Sequence, residues 1–295
     1  MSQSSFDVIV LGGGIIGCAV AEELARRDQR VAVVERGAIG AEASSAAAGI
    51  LSAQMDLVRP GAFFDLCHSA RRMYPQWVRH LERRSGISVD FHVDGILYLA
   101  MTRQAERRMA ARRRWQRAEG LRVERWSSAQ VRRREPSVDG RLRCGFFFPR
   151  EAQVDNVQLM EALRRACQRA GVTLLEQTSV RRLIIQRRAV RGVETDQGSL
   201  RAPVVINCLG SWASLVEAPP VKLPVVPARG QMLVFQGPKR LFRSAVMSEQ
   251  AYVVQRRDGR LIIGSTVEFS GFQKHLTLAG VHGILSGLRR MTSAL

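Results

Sequence analysis

Between Asp7 and Arg36 the chain sets an apolar run, Val8-Ile-Val-Leu11, directly before Gly12-Gly-Gly14-Ile-Ile-Gly17. A helical pattern follows, then a second apolar run, Val31-Ala-Val-Val34, closed by Glu35. No other feature constrains the fold as much. Runs that are apolar at every position, rather than at alternate ones, predict strands buried on both faces, as in parallel sheets. From Ile15 to Arg27 the apolar positions Ile16, Val20 and Leu24 recur every four residues, with Ala21 and Ala25 beside them. Glu22, Glu23, Arg26 and Arg27 supply the polar face, so this stretch predicts an amphipathic helix. The unit is a β-α-β crossover.

Each glycine has a mechanical role in such a crossover. Gly12 permits the tight turn out of the strand, Gly14 lets backbone approach a diphosphate, and Gly17 lets the helix pack closely on the sheet. The helix amino terminus points unpaired N–H groups and the positive end of its dipole at the phosphates. Glu35, 18 residues after Gly17, is placed to accept hydrogen bonds from ribose hydroxyls, which disfavours a 2′-phosphate. Strand, helix, second strand and terminal acid in register predict a dinucleotide site.

The motif itself is compatible with NAD or FAD. Two features favour FAD, with an NAD-dependent dehydrogenase as the alternative. Strands return late, from Val172 to Gly210, as a near-continuous meander rather than as further β-α repeats. Directly after the ribose acid, Ser44, Ser45 and the small residues to Gly49 offer hydroxyls and bare backbone along which a longer cofactor can run. Ser44 and Ser45 are equally suited to cap a helix through Ala46 to Leu51. Gly210 and Trp212 follow a strand end expected to abut the cofactor.

Elsewhere the pattern predicts helices over 64–84, Gln104–Glu119, a segment capped by Asp155 or Asn156, and Leu278–Met291. Strands are expected at Gly95–Met101, Phe146–Phe148, Val172–Leu175, Val180–Gln186, Ala189–Thr195, Val204–Leu209 and Gln231–Phe235. A hairpin, Tyr252–Gln255 with Leu261–Gly264, turns at Asp258-Gly259. Prolines at 219, 220, 224 and 227 mark a boundary. The class is α/β, and 295 residues suggest two domains.

Composition narrows the partners. Forty-five basic against 26 acidic side chains give a net charge of +19, almost all from arginine, since Lys222, Lys239 and Lys274 are the only lysines. The arginines are scattered, and the dense stretch Arg103–Arg117 lacks interleaved aromatics, so it reads as a solvated basic helix rather than a nucleic-acid stripe. Cys18, Cys67, Cys144, Cys167 and Cys208 are odd in number and widely spaced. They signal neither disulfides nor zinc, which suits a reducing, cytoplasmic setting. The five histidines show no ligand spacing, so no metal is expected. Trp77, Trp115 and Trp126 read as packing residues, and the apolar run from Val8 to Ala21 is too short to span a bilayer.

Taken in order, Asp7-Val-Ile-Val-Leu-Gly-Gly-Gly-Ile-Ile-Gly17, Val33-Val-Glu35-Arg36, Ser44-Ser-Ala-Ala-Ala-Gly-Ile50, Glu176-Gln-Thr-Ser-Val180, Asn207-Cys-Leu-Gly-Ser-Trp212, Pro227-Ala-Arg-Gly-Gln231 and Gly264-Ser-Thr266 resemble the D-amino-acid oxidase-like flavoproteins. Within them the likeness is greatest to the glycine oxidase branch of thiazole (thiamine) biosynthesis. The resemblance implies a Rossmann-type FAD-binding domain (1–85 and 145–222) with an antiparallel-sheet α+β substrate domain (86–144 and 223–295). It implies non-covalent FAD, with Ile15 and Ile16 at the diphosphate and Glu35 with Arg36 at the adenosine. Ala43, Ser44, Ala48, Gly49 and Ile50 would lie along the path to the flavin, and the Val180 backbone at the adenine.

Tyr252, on the residues alone a half-buried hairpin position, would enter the substrate pocket together with Ile50. The implied chemistry is hydride transfer from glycine or a similar small amino acid or secondary amine, with oxygen as oxidant and hydrogen peroxide as product. Because the cofactor is the electron sink, no side-chain acid or base is obligatory and none is named. A homo-oligomer is also implied. The family pattern continues past Leu295 with a Gly-Leu-Arg-Pro-like segment carrying a carboxylate-binding arginine and a Gly-His-containing stretch. Neither is found here, and Gly287-Leu-Arg-Arg290 lies within the preceding helix. The expectation is therefore a chain shortened at its carboxyl end, with an inactive flavoprotein-like fragment as the alternative to an enzyme.

Overall fold

The computed structural model describes residues 5–216, 221–238 and 240–295. Pro219 and Pro220 of the expected boundary, and Lys239, lie outside the described residues. The amino-terminal crossover forms as its pattern requires, with strands Val8–Leu11 and Val31–Val34 flanking the helix Ile15–Ala25. They belong to a four-stranded parallel sheet ordered Val204–Asn207, Val8–Leu11, Val31–Val34, Thr173–Leu175.

The uninterrupted apolar runs are explained by what covers the two faces. Val8 and Val10 point to a core shared with Cys18 and Ala21 of the crossover helix, Leu81 of the helix Ala62–Ser85, and Leu159 and Leu163 of the helix Asn156–Arg169. Ile9 and Leu11 point the other way, into a core with Val193, Ala202 and Val216. Each such side chain, fully withdrawn from water, stabilises the fold by about 1.5–3 kcal/mol.

The second face is covered by an antiparallel meander, Val180–Gln186, Ala189–Thr195 and Gly198–Arg201. The meander expected from Val172 to Gly210 is thus three strands. Thr173–Leu175 and Val204–Asn207, on either side of it in sequence, join the parallel sheet instead, Val204 pairing with Val8. Alternating and continuous apolar patterns cannot be told apart in strands this short.

A seven-stranded mixed sheet occupies the rest of the molecule, ordered Met232–Gln236, Arg260–Gly264, Tyr252–Gln255, Ala245–Met247, Ile96–Ala100, Cys144–Phe148, Glu124–Ser127. All neighbours are antiparallel except Ala245–Met247 beside Ile96–Ala100. One face packs Tyr98, Phe146 and Phe148 against Ala105 and Met109 of the arginine-rich helix Arg103–Ala118. The other packs Leu97, Leu99, Leu261 and Ile263 against Ile284 and Leu288 of the helix Leu278–Met291. The arginine-rich helix buries a stripe at Ala105, Met109, Arg112 and Gln116, and its remaining arginines are displayed outward or half-buried.

A third small sheet, Ile50–Leu51, Ala152–Val154 and Phe91–His92, escaped the sequence because its strands are two or three residues long. Asp155 caps the helix after it, its Oδ1 accepting from the Val157 and Gln158 amides at 3.0 and 3.1 Å. The five cysteines are unbridged. Among the described residues no helix is long and apolar enough to cross a membrane, and no group of His, Cys, Asp and Glu side chains is placed to hold a metal ion.

Candidate functional site

The glycine turn is packed as its spacing implies. Gly12 has φ +98°, and a Cβ on it would lie 2.5 Å from the Cys208 carbonyl oxygen. A Cβ on Gly17 would lie 1.9 Å from the Gly12 carbonyl oxygen, whereas one on Gly14 would meet only the Ser44 hydroxyl, at 3.0 Å. Gly12 and Gly17 are thus closed by backbone, while Gly14 is bounded only by the Ser44 side chain and lines the cavity.

The helix above this turn starts at Ile15 with no acidic residue in its first turn. The Ile15 amide donates to Ser44 Oγ at 3.0 Å and the Gly13 amide to Glu35 Oε2 at 2.8 Å. Among the described residues the amides of Gly14, Ile16 and Gly17 have no acceptor. Unpaired donors at a helix amino terminus, together with the dipole, favour an anion. Ser44 therefore caps the crossover helix rather than a helix of its own. The expected helix Ala46–Leu51 is instead a short turn, Ala43–Ala46, followed by the strand Ile50–Leu51.

A cavity of about 1050 Å³ opens in front of the Gly14 and Ile16 amides. That is at the upper end of ligand pockets and well beyond what a small amino acid fills. Of the residues singled out from the sequence, Gly12, Gly14, Ile15, Ile16, Glu35, Arg36, Ala43, Ser44, Ala48, Gly49, Ile50, Val180, Gly210, Trp212 and Tyr252 all line it. Gly17 and Ser45 do not. Gly17 is buried under the turn, and Ser45 stands behind the wall with its carbonyl accepting from Asn156 Nδ2 at 2.8 Å.

At one end, Glu35 bridges the turn, Oε1 accepting from the Gly37 amide at 2.9 Å. Each of its oxygens keeps a lone pair for a ligand hydroxyl. Beside it the Arg36 guanidinium lies 3.9 Å over the Trp212 ring, which also stacks on Phe272 at 5.0 Å. Glu42 accepts from Arg36 at 2.8 Å and from Lys274 at 2.6 Å. Burial opposes ionisation of Glu42, but these two cations prevail and hold its carboxyl below the ordinary range.

At the other end the lining is Ile50, Leu51, Ser52, Asp56, Met247, Tyr252 and Ser265. The Tyr252 hydroxyl rests 2.8 Å from Met232 Sδ, and burial pushes its pKa up, so it remains a protonated donor. The wall here is braced from behind by buried Glu151, which accepts from the Gln54 amide at 3.1 Å, the Met55 amide at 3.3 Å and Arg71 at 2.5 Å.

Asp56, Asn156, Thr178, Met247 and Ser265 also line the cavity and were not read as site residues. Asn156 carried only a helix-capping signal. Phe272 and Lys274, which reach Trp212 and Glu42, sit in a stretch without regular structure, where no periodicity announces a role.

Residues 7–295 match the DAO family, described as FAD dependent oxidoreductase. The Bifunctional protein ThiO/ThiG of Synechocystis sp. is 33% identical over 299 residues, covering 99% of this chain and 43% of that protein. The chain thus spans less than half of this relative's length. Glycine oxidase of Pseudomonas aeruginosa is 33% identical over 269 residues, covering 90% of this chain and 72% of that protein. Among solved structures, glycine oxidase from Geobacillus kaustophilus superposes with a TM-score of 0.94 at 29% identity, covering 98% of this chain and 79% of that one.

Proposed function

The chain belongs to the DAO family of FAD-dependent oxidoreductases, and from that footing we propose that it binds FAD non-covalently in the large cavity and oxidises glycine or a similar small amino acid or secondary amine. The observation that carries this reading is the cradle itself: the Gly14 and Ile16 amides, without an acceptor among the described residues, face a space of about 1050 Å³ that runs on to Tyr252. The residues present suit the cofactor. Gly14 leaves room that a Cβ would fill, and Glu35 retains acceptor capacity beside the turn. FAD, when bound, supplies an acceptor for the substrate's α-hydrogen and hands the electrons to oxygen, so that the amine leaves as an imine and hydrogen peroxide forms.

The roles fall to named groups. The Gly14 and Ile16 amides hold the diphosphate, with Gly12, Gly17 and Ile15 shaping the turn, and Glu35 takes the ribose hydroxyls. Arg36 and Trp212 close over the adenosine, the Val180 backbone meets the adenine, and Gly210 lets the chain pass close by. Ala43, Ser44, Ala48, Gly49 and Ile50, with Ser45 behind them, form the path to the ring. At the far end Ile50, Leu51 and Met247 exclude water and Tyr252 orients the substrate by its hydroxyl. No side chain is assigned as acid or base.

In this reading 1–85 and 145–222 form the FAD-binding part, and 86–144 with 223–295 the substrate part. Likeness to the ThiO/ThiG protein supports a contribution to thiamine biosynthesis. Cytoplasmic placement, as a homo-oligomer using molecular oxygen, belongs to the same proposal.

The visible spectrum of the purified chain, before and after anaerobic glycine, tests it. A flavin spectrum that bleaches with glycine or sarcosine, and oxygen uptake with peroxide release in air, is the expected result. Colourless protein that takes up no added FAD sinks the proposal, as does stoichiometric nicotinamide cofactor in its place. A flavin that no small amine reduces removes the substrate part alone.

A further inference from the structure

Arg256 follows the strand Tyr252–Gln255 at the start of the hairpin turn, with 3% of its surface exposed. Among the described residues it forms no ion pair, and Asp155, the acid nearest in effect, is engaged by Arg260 at 2.5 Å. Its guanidinium addresses neutral acceptors instead. Nη2 donates to the Ala48 carbonyl at 2.7 Å and approaches Asn156 Oδ1 at 3.4 Å, Nη1 donates to Gln153 Oε1 at 3.3 Å, and Nε is buried without a partner. Burying an arginine this way is unfavourable, since it stays charged and loses its water. Stability of the hairpin does not account for it.

The acceptors of its guanidinium all bear on one stretch of cavity wall. Asn156 Nδ2 donates to the carbonyls of Ser44 at 2.9 Å and Ser45 at 2.8 Å. Gly49 has φ +67°, and a Cβ there would stand 2.0 Å from the Val154 carbonyl oxygen and 2.6 Å from Arg256 Nη2. The backbone from Ser44 to Ile50 is therefore held from behind by the Arg256 guanidinium and the Asn156 amide, beside the backbone pairing of Gly49 and Ile50 with Gln153 and Val154, its other face forming the cavity lining.

We propose that Arg256 is a positioning residue: through Ala48 and Asn156 it fixes the course of Ser44–Ile50, so that the wall along which the cofactor runs is set before the cofactor arrives. The flavin arm of this proposal rests on the function proposed above. The positioning of the wall does not.

The test compares the full chain with Arg256→Met, Arg256→Lys and, as a stability control remote from the cavity, Ile284→Val. Hydrogen exchange of peptides covering 43–51, with and without added FAD, reports the wall, and fluorescence titration reports FAD affinity. Arg256→Met is expected to speed exchange in this segment at least tenfold while the strands Val8–Leu11 and Val31–Val34 keep their protection. It is also expected to raise the FAD Kd at least tenfold, with Arg256→Lys recovering part of both. Unchanged exchange over 43–51 in Arg256→Met overturns the proposal. So does equal loss of FAD affinity in a control variant of matched Tm. If Arg256→Met does not fold, Arg256→Lys and Asn156→Ser report the same network. If the unaltered chain binds no FAD, the oxidase reading falls, and the exchange measurement still decides the role of Arg256.

Discussion

The guanidinium of Arg36 lies 3.9 Å over the indole of Trp212, and the two, 176 positions apart in sequence, meet in the lining of the cavity. Phe272 extends the stack on the Trp212 ring at 5.0 Å, and Lys274, beside it in sequence, reaches Glu42, which also holds Arg36. Three parts of the chain are thus tied together where the cofactor's adenosine is proposed to lie.

Trp212→Ala should therefore weaken FAD binding without unfolding the protein. The cation–π contact is worth about 0.5–1 kcal/mol at an exposed site, and the aromatic pair about 0.5–1.5 kcal/mol. Both contacts exist before the cofactor binds, so their loss raises Kd only through the order they impose on the site, by at most roughly seventy-fold. Flavin titration followed by fluorescence measures it, and an unchanged Kd would show that the stack only closes the surface.

The glycines separate fold from binding. A Cβ on Gly17 collides with backbone at 1.9 Å, whereas a Cβ on Gly14 meets only the Ser44 hydroxyl at 3.0 Å. Gly17→Ala is expected to lower Tm markedly, since overpacking of this kind costs about 1–3 kcal/mol or more. Gly14→Ala should leave Tm within a few degrees yet reduce flavin retention, because the added methyl occupies the approach to the amides. Thermal melts of the flavin-free proteins beside FAD titrations distinguish the two, and parallel losses in both variants would contradict the assignment.

How far the sequence could be read follows from the length scale of each signal. The crossover was legible because four consecutive apolar residues, three spaced glycines and a terminal acid are local, and the structure places Glu35 against Gly13 and Gly37 within that span. The cavity lining at Ala43, Ser44 and Ala48–Ile50 was reached through small residues and family likeness. Arg256, Asn156 and Glu151 were not reached, since a buried polar group holding backbone from behind has no periodicity and declares itself only by its distant partners. The strands Ile50–Leu51 and Phe91–His92 fell below the length at which alternation can be recognised.

Acid titration should expose the ion-pair cluster that ties the arginine-rich helix to the sheet. Glu106 accepts from Arg143 and Arg125, both at 2.6 Å, and its pKa is lowered to about 2 by those hydrogen bonds. A carboxyl with a depressed folded-state pKa adds stability above its unfolded value of 4.5 and loses it as pH falls through about 2. Because the pairs are solvent-screened, the gain at neutral pH is modest, about 1 kcal/mol or less. Glu106→Gln is thus expected to be slightly less stable at pH 7 and to converge with the unaltered chain towards pH 2. Urea unfolding at pH 7, 4 and 2.5 measures this, and a gap that widens on acidification would reverse the sign.

Tyr252 offers the sharpest test of where the substrate sits. It enters the cavity from the hairpin, its hydroxyl lies 2.8 Å from a thioether, a weak acceptor, and burial keeps it protonated. A phenol so placed retains most of its hydrogen-bonding capacity for a ligand. Tyr252→Phe keeps the ring's packing while removing the donor, so flavin content and Tm should stay unchanged. Loss of one neutral hydrogen bond to substrate, about 0.5–1.5 kcal/mol, should lower kcat/KM about two- to twelve-fold. If that bond is equally strong in the ground and transition states, the loss appears in KM and kcat is spared. With no ionisation of the phenol below its ordinary range, the pH profile of the variant should parallel that of the unaltered enzyme through neutral pH. A new pH dependence in Tyr252→Phe, or a loss of flavin with no change in kcat/KM, would move the substrate away from this end of the cavity and leave the tyrosine as a packing residue.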